Sequence, residues 1–274
     1  MSNTTKQKVY GVDFSGAENA CQKIWISEGT INGDDLLINN CWQISDFLDD
    51  KQKKDRNSCH NILKDFIANN SDAIFGLDVP FGVPGSLTGN NNWKSFIRKF
   101  PSQYKTPEDF RDSCRKKTRY KELKRFTDID KKAPFCVYNL RLYKQTFYCI
   151  RDIINPLIEG NYVSILPMQY PEMEKSWLIE ICPACTLKQE KLYNPYKGKT
   201  KKEHVSRAGI VEYFSSIFKL SSKVKKLAIE DIEGDALDSV IALVATFRAL
   251  NTLSDFKFLR DLPGIYKKEG YTFA

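Results

Sequence analysis

Three short apolar runs in this chain each close on a single carboxylate. "VYGVD" ends at Asp13, "IFGLD" at Asp78 and "SWLIE" at Glu180. Continuous apolar runs of this length suit strands buried on both faces of a sheet. A lone ionised carboxyl at the end of such a strand is expensive to bury unless it is paired or coordinates a metal. No dedicated basic partner stands beside any of the three in the sequence. The runs therefore demand a covered sheet, with something cationic where the strand ends converge, as ligands do in α/β folds.

A fourth stretch carries the same tension. "EGDALDSVIALVATFRAL", residues 233–250, reads as a helix with Asp235 and Asp238 in its first turn, on the side continued by Ala242, Ala245 and Ala249. Like charges at helical spacing repel by about 0.2–0.5 kcal/mol. The positive end of the helix dipole offsets part of that. A divalent cation between the two acids removes the conflict, and the alanines let the helix lie close to a sheet. Several hard oxygen donors brought together favour Mg²⁺ or Mn²⁺ over zinc.

The remaining elements fill in an α/β chain. "KVYGVDFSG", "QKIWISEG" and "DLLINNCWQI" predict an antiparallel three-strand meander, with Gly29, Asn32 and Gly33 supplying turns. "SCHNILKDFIANN" has helical spacing, and "EHVSRAGIVEYFSSIF" gives another helix after the basic loop "LYNPYKGKTKK". From 89 to 160 strand-like runs vanish and charge rises, predicting a basic, mostly helical insertion within one domain spanning 1–274. Residues 91–152 hold 17 Lys and Arg against 7 Asp and Glu, in a chain of net charge +8. Such asymmetry fits a polyanionic partner, or a lysine-rich solvated surface.

Other classes find less support. The N-terminal "MSNTTKQKVYGVDF" lacks the apolar stretch of a secretory signal, and there is no run of about 18 apolar residues, so a cytoplasmic protein without a membrane span is expected. The eight cysteines are scattered and read as small buried hydrophobes in a reducing compartment. Cys182 and Cys185 form the one close pair, open to a structural, redox or metal role. His60, on an expected surface helix, and His204 stand in no nucleophile–base pattern, and no GxSxG occurs.

The order of these motifs resembles the RNase H-like nucleases, among them the Holliday-junction resolvases. "GVDFSGA", "GLDVPFGVP", "IEICPA", "EGDALDSVIAL" and the closing "EGYTFA" are similar to the successive motifs of an uncharacterised family of predicted nucleases with an RNase H-like fold. The resemblance implies a mixed sheet of RNase H type, divalent metal and a nucleic-acid substrate, DNA or RNA. It implies Asp13 as the central ligand between two metal ions, Asp78 as the second strand carboxylate, and Asp235 and Asp238 as helix ligands. Resolvases carry glutamate at the place of Asp78. Glu180 matches a carboxylate of the uncharacterised family.

The expected activity is therefore phosphodiester hydrolysis with two Mg²⁺ or Mn²⁺ ions. Each acid also has a plainer role: turn capping by Asp13 or Asp78, an N-cap by Asp235, a pairing of Glu180 with Lys188 or another base. Lys197, Lys199, Lys201, Lys202 and Arg207 suit substrate phosphates or a solvated loop. Tyr193 and Tyr196 suit base stacking or packing. Two other readings compete: an actin-like or sugar-kinase-like phosphotransferase, and a nucleic-acid-binding protein without catalysis.

Overall fold

The computed structural model describes residues 6–49, 55–254 and 256–274. The first apolar run forms β1 (Lys8–Asp13), followed by β2 (Trp25–Asn32) and β3 (Asp35–Gln43). β2 pairs antiparallel with both, giving the expected meander. Gly33, at φ +62°, turns the hairpin in a conformation that glycine adopts without strain. Asp55 caps α1 (Arg56–Ala68), which leads into β4 (Ala73–Asp78), parallel to β1.

Next come α2 (Trp93–Gln103), α3 (Pro107–Lys117), α4 (Phe126–Asp130), α5 (Tyr143–Tyr148), a π-helical stretch at Cys149–Ile154 and α6 (Asn155–Glu159). The segment 89–160 is thus helical among its regular elements. It is no detached cap: Phe96, Phe100, Phe110 and Phe147 share one core with Tyr10 and Phe75 of the sheet. β5 (Val163–Leu166), β6 (Ser176–Ile181) and α7 (Pro183–Gln189) follow. The chain ends through α8 (Lys201–Ile217), β7 (Lys219–Leu220), α9 (Ser222–Glu230), α10 (Asp235–Leu253), α11 (Phe256–Asp261), α12 (Gly264–Glu269) and β8 (Thr272–Phe273).

The protein is α/β, with a mixed sheet flanked by helices. Strand order is β5-β6-β4-β1-β2-β3-β7, and β8 also pairs with β6. β4, β5, β6 and β8 run in the direction of β1, so the three apolar runs point their C-terminal ends the same way. Side chains alternate between two cores. Tyr10, Val12, Phe75, Leu77 and Leu178 face α1 to α6. Val9, Ile74, Trp177 and Ile179 face α8, α9 and α10. Four of the cysteines (Cys41, Cys114, Cys136 and Cys149) are buried free thiols as expected. The other four are not: Cys21–Cys59 and Cys182–Cys185 form disulfides, with Cα atoms 5.6 and 5.2 Å apart.

α10 is long and apolar enough to cross a membrane by composition, but it lies on the sheet, with Ala236 to Thr246 all buried. Its close approach needs the sheet's glycines as well as its own buried alanines. Gly11 and Gly76 are register neighbours on β1 and β4. A Cβ on Gly11 would lie 2.1 Å from both Leu243 N and Ser239 O, and one on Gly76 would lie 1.8 Å from Thr246 Oγ1. Backbone cannot yield as a flexible side chain does. Gly11→Ala is expected to cost about 3 kcal/mol by overpacking, read as a lower urea midpoint, and to shift the helix start.

Candidate metal centre

Strand register decides which acids meet. Asp13 and Asp78 are partners across the parallel pair β1/β4, each two residues beyond the glycine that faces α10. Both side chains therefore leave the sheet on the α10 face, on strands about 4.8 Å apart. α10 starts above those strand ends. Its N-cap is Gly234 at φ +77°, while Asp231 accepts from Ala236 N at 2.8 Å. Asp231 thus does the capping that is the plainer alternative for Asp235. Asp13, Asp235 and Asp238 each bring a carboxylate oxygen within 4.8 Å of the others, a spacing that can hold a metal ion.

The acids are not used up by the backbone. Neither the Asp13 nor the Asp78 carboxylate has a hydrogen-bond partner among the described residues, so neither caps a turn. Burial, then the Asp238 charge, drives Asp13 well above the usual carboxylate range; Asp235 and Asp78 add to it and Lys197 opposes it. Asp78 is raised by burial first and Asp238 second. Asp235 is raised by burial, against Lys197.

One loop supplies the counter-charge. Lys197 Nζ lies 2.7 Å from Asp238 Oδ2 and 3.3 Å from Asp235 Oδ1. Burial disfavours its charge, but Asp238, Asp13 and Asp235 outweigh that and hold the ammonium firmly protonated. Tyr196 donates to Asp238 Oδ1 at 2.6 Å and is buried, so it orients an acid rather than stacking on a base. Among the described residues Lys197 is the ammonium paired within this group of four carboxylates, and Lys23 acts on Asp235 from outside it. The excess of carboxylate, on a donor set made wholly of hard oxygens, fits a divalent cation.

Two sequence expectations are corrected here. Arg207 is buried at 2% exposure, out of reach of a substrate phosphate. It donates to the carbonyls of Tyr196 (2.6 Å), Gly198 (3.0 Å) and Ile229 (2.7 Å), fixing the loop that carries Tyr196 and Lys197. Lys199 stays exposed on that loop. His60 is buried at 1% exposure, not on the surface, with its ring nitrogens on Asp152 Oδ2 and Ser15 O.

Glu180 is held out of the trio of Asp13, Asp235 and Asp238, although it lines one cleft with Asp78 and Asp238 and its charge helps raise Asp78. Its register partner is Leu77, not Asp78, so its side chain leaves the opposite face of the sheet. There Arg125 reaches Glu180 Oε1 at 2.5 Å and Oε2 at 2.8 Å, and grips Asp128 as well. Thr272 of β8 and Phe81 N complete the carboxylate's shell, while Lys188 donates elsewhere, to Lys132 O. Arg125 escaped the sequence reading because its partner lies 55 residues away; only the i,i+3 spacing to Asp128 hinted at it.

A cleft of about 480 Å³ adjoins the centre, with Asp78, Asp238 and Lys197 in its wall. Most of the remaining lining is apolar, including Pro80, Phe135, Leu142, Pro183, Tyr193 and Pro195. Comparison of the chain with protein-family models, curated proteins and solved structures finds no match.

Proposed function

We propose that the protein is a metal-dependent nuclease of RNase H-like fold, hydrolysing nucleic-acid phosphodiester bonds. The observation that carries this reading is the meeting of Asp13, Asp235 and Asp238 within 4.8 Å, beside Asp78, at the ends of β1 and β4. The sheet supports it too: a meander β1-β2-β3, with β4 parallel beside β1 and β6 parallel beside β4, fits the arrangement implied by the motif order.

Asp13 is both the strand partner of Asp78 and a member of the trio with Asp235 and Asp238, so it would be the ligand common to two ions held there. Held by these aspartates, two Mg²⁺ or Mn²⁺ ions would supply an activated water and charge stabilisation for the departing oxygen. The chain's own residues do the positioning. Tyr196 fixes Asp238, Arg207 fixes the loop, and Lys197 holds a positive charge within reach of a phosphate. In the reaction a water oxygen bonds to phosphorus as one P–O ester bond breaks, and the leaving alcohol takes a proton.

The test is release of fluorophore from labelled single-stranded, duplex and branched DNA and RNA, in Mn²⁺ and in EDTA. Cleavage in Mn²⁺ alone is expected. A folded, Mn²⁺-loaded protein that cuts none of the panel contradicts the assignment.

A further inference from the structure

Beyond the carboxylates, the adjoining cleft has a chemistry of its own. Tyr193, half exposed, lines the cleft together with Ala184 and four prolines, Pro80, Pro134, Pro183 and Pro195. Lys188 Nζ stands 5.0 Å from the Tyr193 ring and donates to Lys132 O, while Lys124 donates to the carbonyl of Ala133, a wall residue. Lys124, Lys132 and Lys188 thus gather beside one part of the wall. None of them forms an ion pair with a carboxylate among the described residues. Burial and then the Lys124 and Lys132 charges push the Lys188 ammonium down, as expected for crowded cations lacking an anion. Like charges brought together without a paired carboxylate suit an anion from outside.

Building on the nuclease reading, we propose that this cleft receives one unpaired nucleotide of a single strand, its base against the apolar walls and Tyr193. One flanking phosphate lies at the carboxylate centre and Lys197, the other at Lys124, Lys132 and Lys188. The volume falls within the range of pockets for single small ligands, about 300–1,000 Å³. Bases of an intact duplex stay stacked and cannot enter such a space without being extruded. Every base has a π-face, so an apolar slot with one tyrosine accepts bases with little sequence preference. The basic segment 89–160 contributes Lys124 and Lys132, which gives part of its charge excess a place at the site.

Fluorescence anisotropy of the full chain tests this, with Ca²⁺ replacing Mg²⁺. The probes are a labelled oligothymidylate and its duplex with oligoadenylate. The single strand should bind about tenfold more tightly than the duplex, and Tyr193→Ala should remove roughly tenfold of that affinity. Ala184→Trp, which fills the cleft from its wall, should do the same. Lys132→Gln and Lys188→Gln should each flatten the dependence of log Kd on log salt by about 0.7. Circular dichroism checks that each variant is folded. Equal affinity for strand and duplex, no binding of either, or indifference to both Tyr193→Ala and Ala184→Trp overturns the proposal. Cleavage of the same probes in Mn²⁺ is scored separately. Strand preference without cleavage removes the hydrolase and keeps the cleft; cleavage without the preference does the reverse.

Discussion

Asp13→Asn is expected to lower Mn²⁺-dependent cleavage at least about 10³-fold, the loss of about 4 kcal/mol of transition-state stabilisation. Asparagine keeps the shape of the side chain but surrenders the charge that both ions would share. Folding should not suffer, for a reason found in the same cluster. The folded Asp13 titrates well above its ordinary value of 3.8. Between the unfolded and the folded value the native state binds the extra proton, so stability falls as pH rises through that window. At pH 7 the ion-free wild type therefore carries a penalty that the neutral amide relieves. The melting temperature of ion-free Asp13→Asn should equal or exceed that of the wild type. Mn²⁺ should stabilise the wild type, by about 2.7 kcal/mol at a hundred times its dissociation constant, and leave the variant unmoved. A variant that cleaves normally removes Asp13 from the chemistry; one that merely unfolds contradicts the electrostatic account.

Arg125→Met should damage the fold itself. The guanidinium is 1% exposed and bonds two carboxylates that are nearly as buried. Removing one partner of such a group leaves uncompensated buried charge, at about 3–5 kcal/mol. For a chain of this size that is a fall in melting temperature on the order of 10 °C. Three parts of the chain come apart together: α4, which Arg125 caps, β6 through Glu180, and β8 through Thr272. Glu180→Gln should likewise lower stability while leaving Mn²⁺ affinity intact, because its side chain lies across the sheet from the three aspartates. Loss of Mn²⁺ binding in a folded Glu180→Gln protein contradicts that separation.

The contrast between Glu180 and the other acids marks how far the sequence can be read. β1, β4, β6 and α10 are legible because long apolar runs have few other places to go. The facing of their acids is legible in part. Asp13 and Asp78 both follow the pattern Gly-x-Asp, which sets a helix-facing glycine and the acid on one side of the strand. Glu180 has Leu178 at the corresponding place, and Leu178 faces the other core. That difference of one residue type is the signal. His60 has one as well: Leu63 and Ile67 follow it at three and seven residues, so it shares their buried face.

Other features have no local signal. β7 and β8 are two residues each and exist only through their partners, so no periodicity announces them. Arg207 is buried because three carbonyls from other segments converge on it, whereas charge alone suggests solvent. The pairing of Lys197 with Asp235 and Asp238 has no local signal either, since it depends on the fold of the loop.

The central claim is that aspartates brought together from two strand ends and a helix start share a divalent cation. Anomalous diffraction from a crystal soaked in Mn²⁺ tests it most directly. The account predicts a peak within about 2.5 Å of oxygens from Asp13, Asp235 and Asp238, with the Lys197 ammonium displaced from between the helix acids. A saturated crystal with no peak there contradicts it.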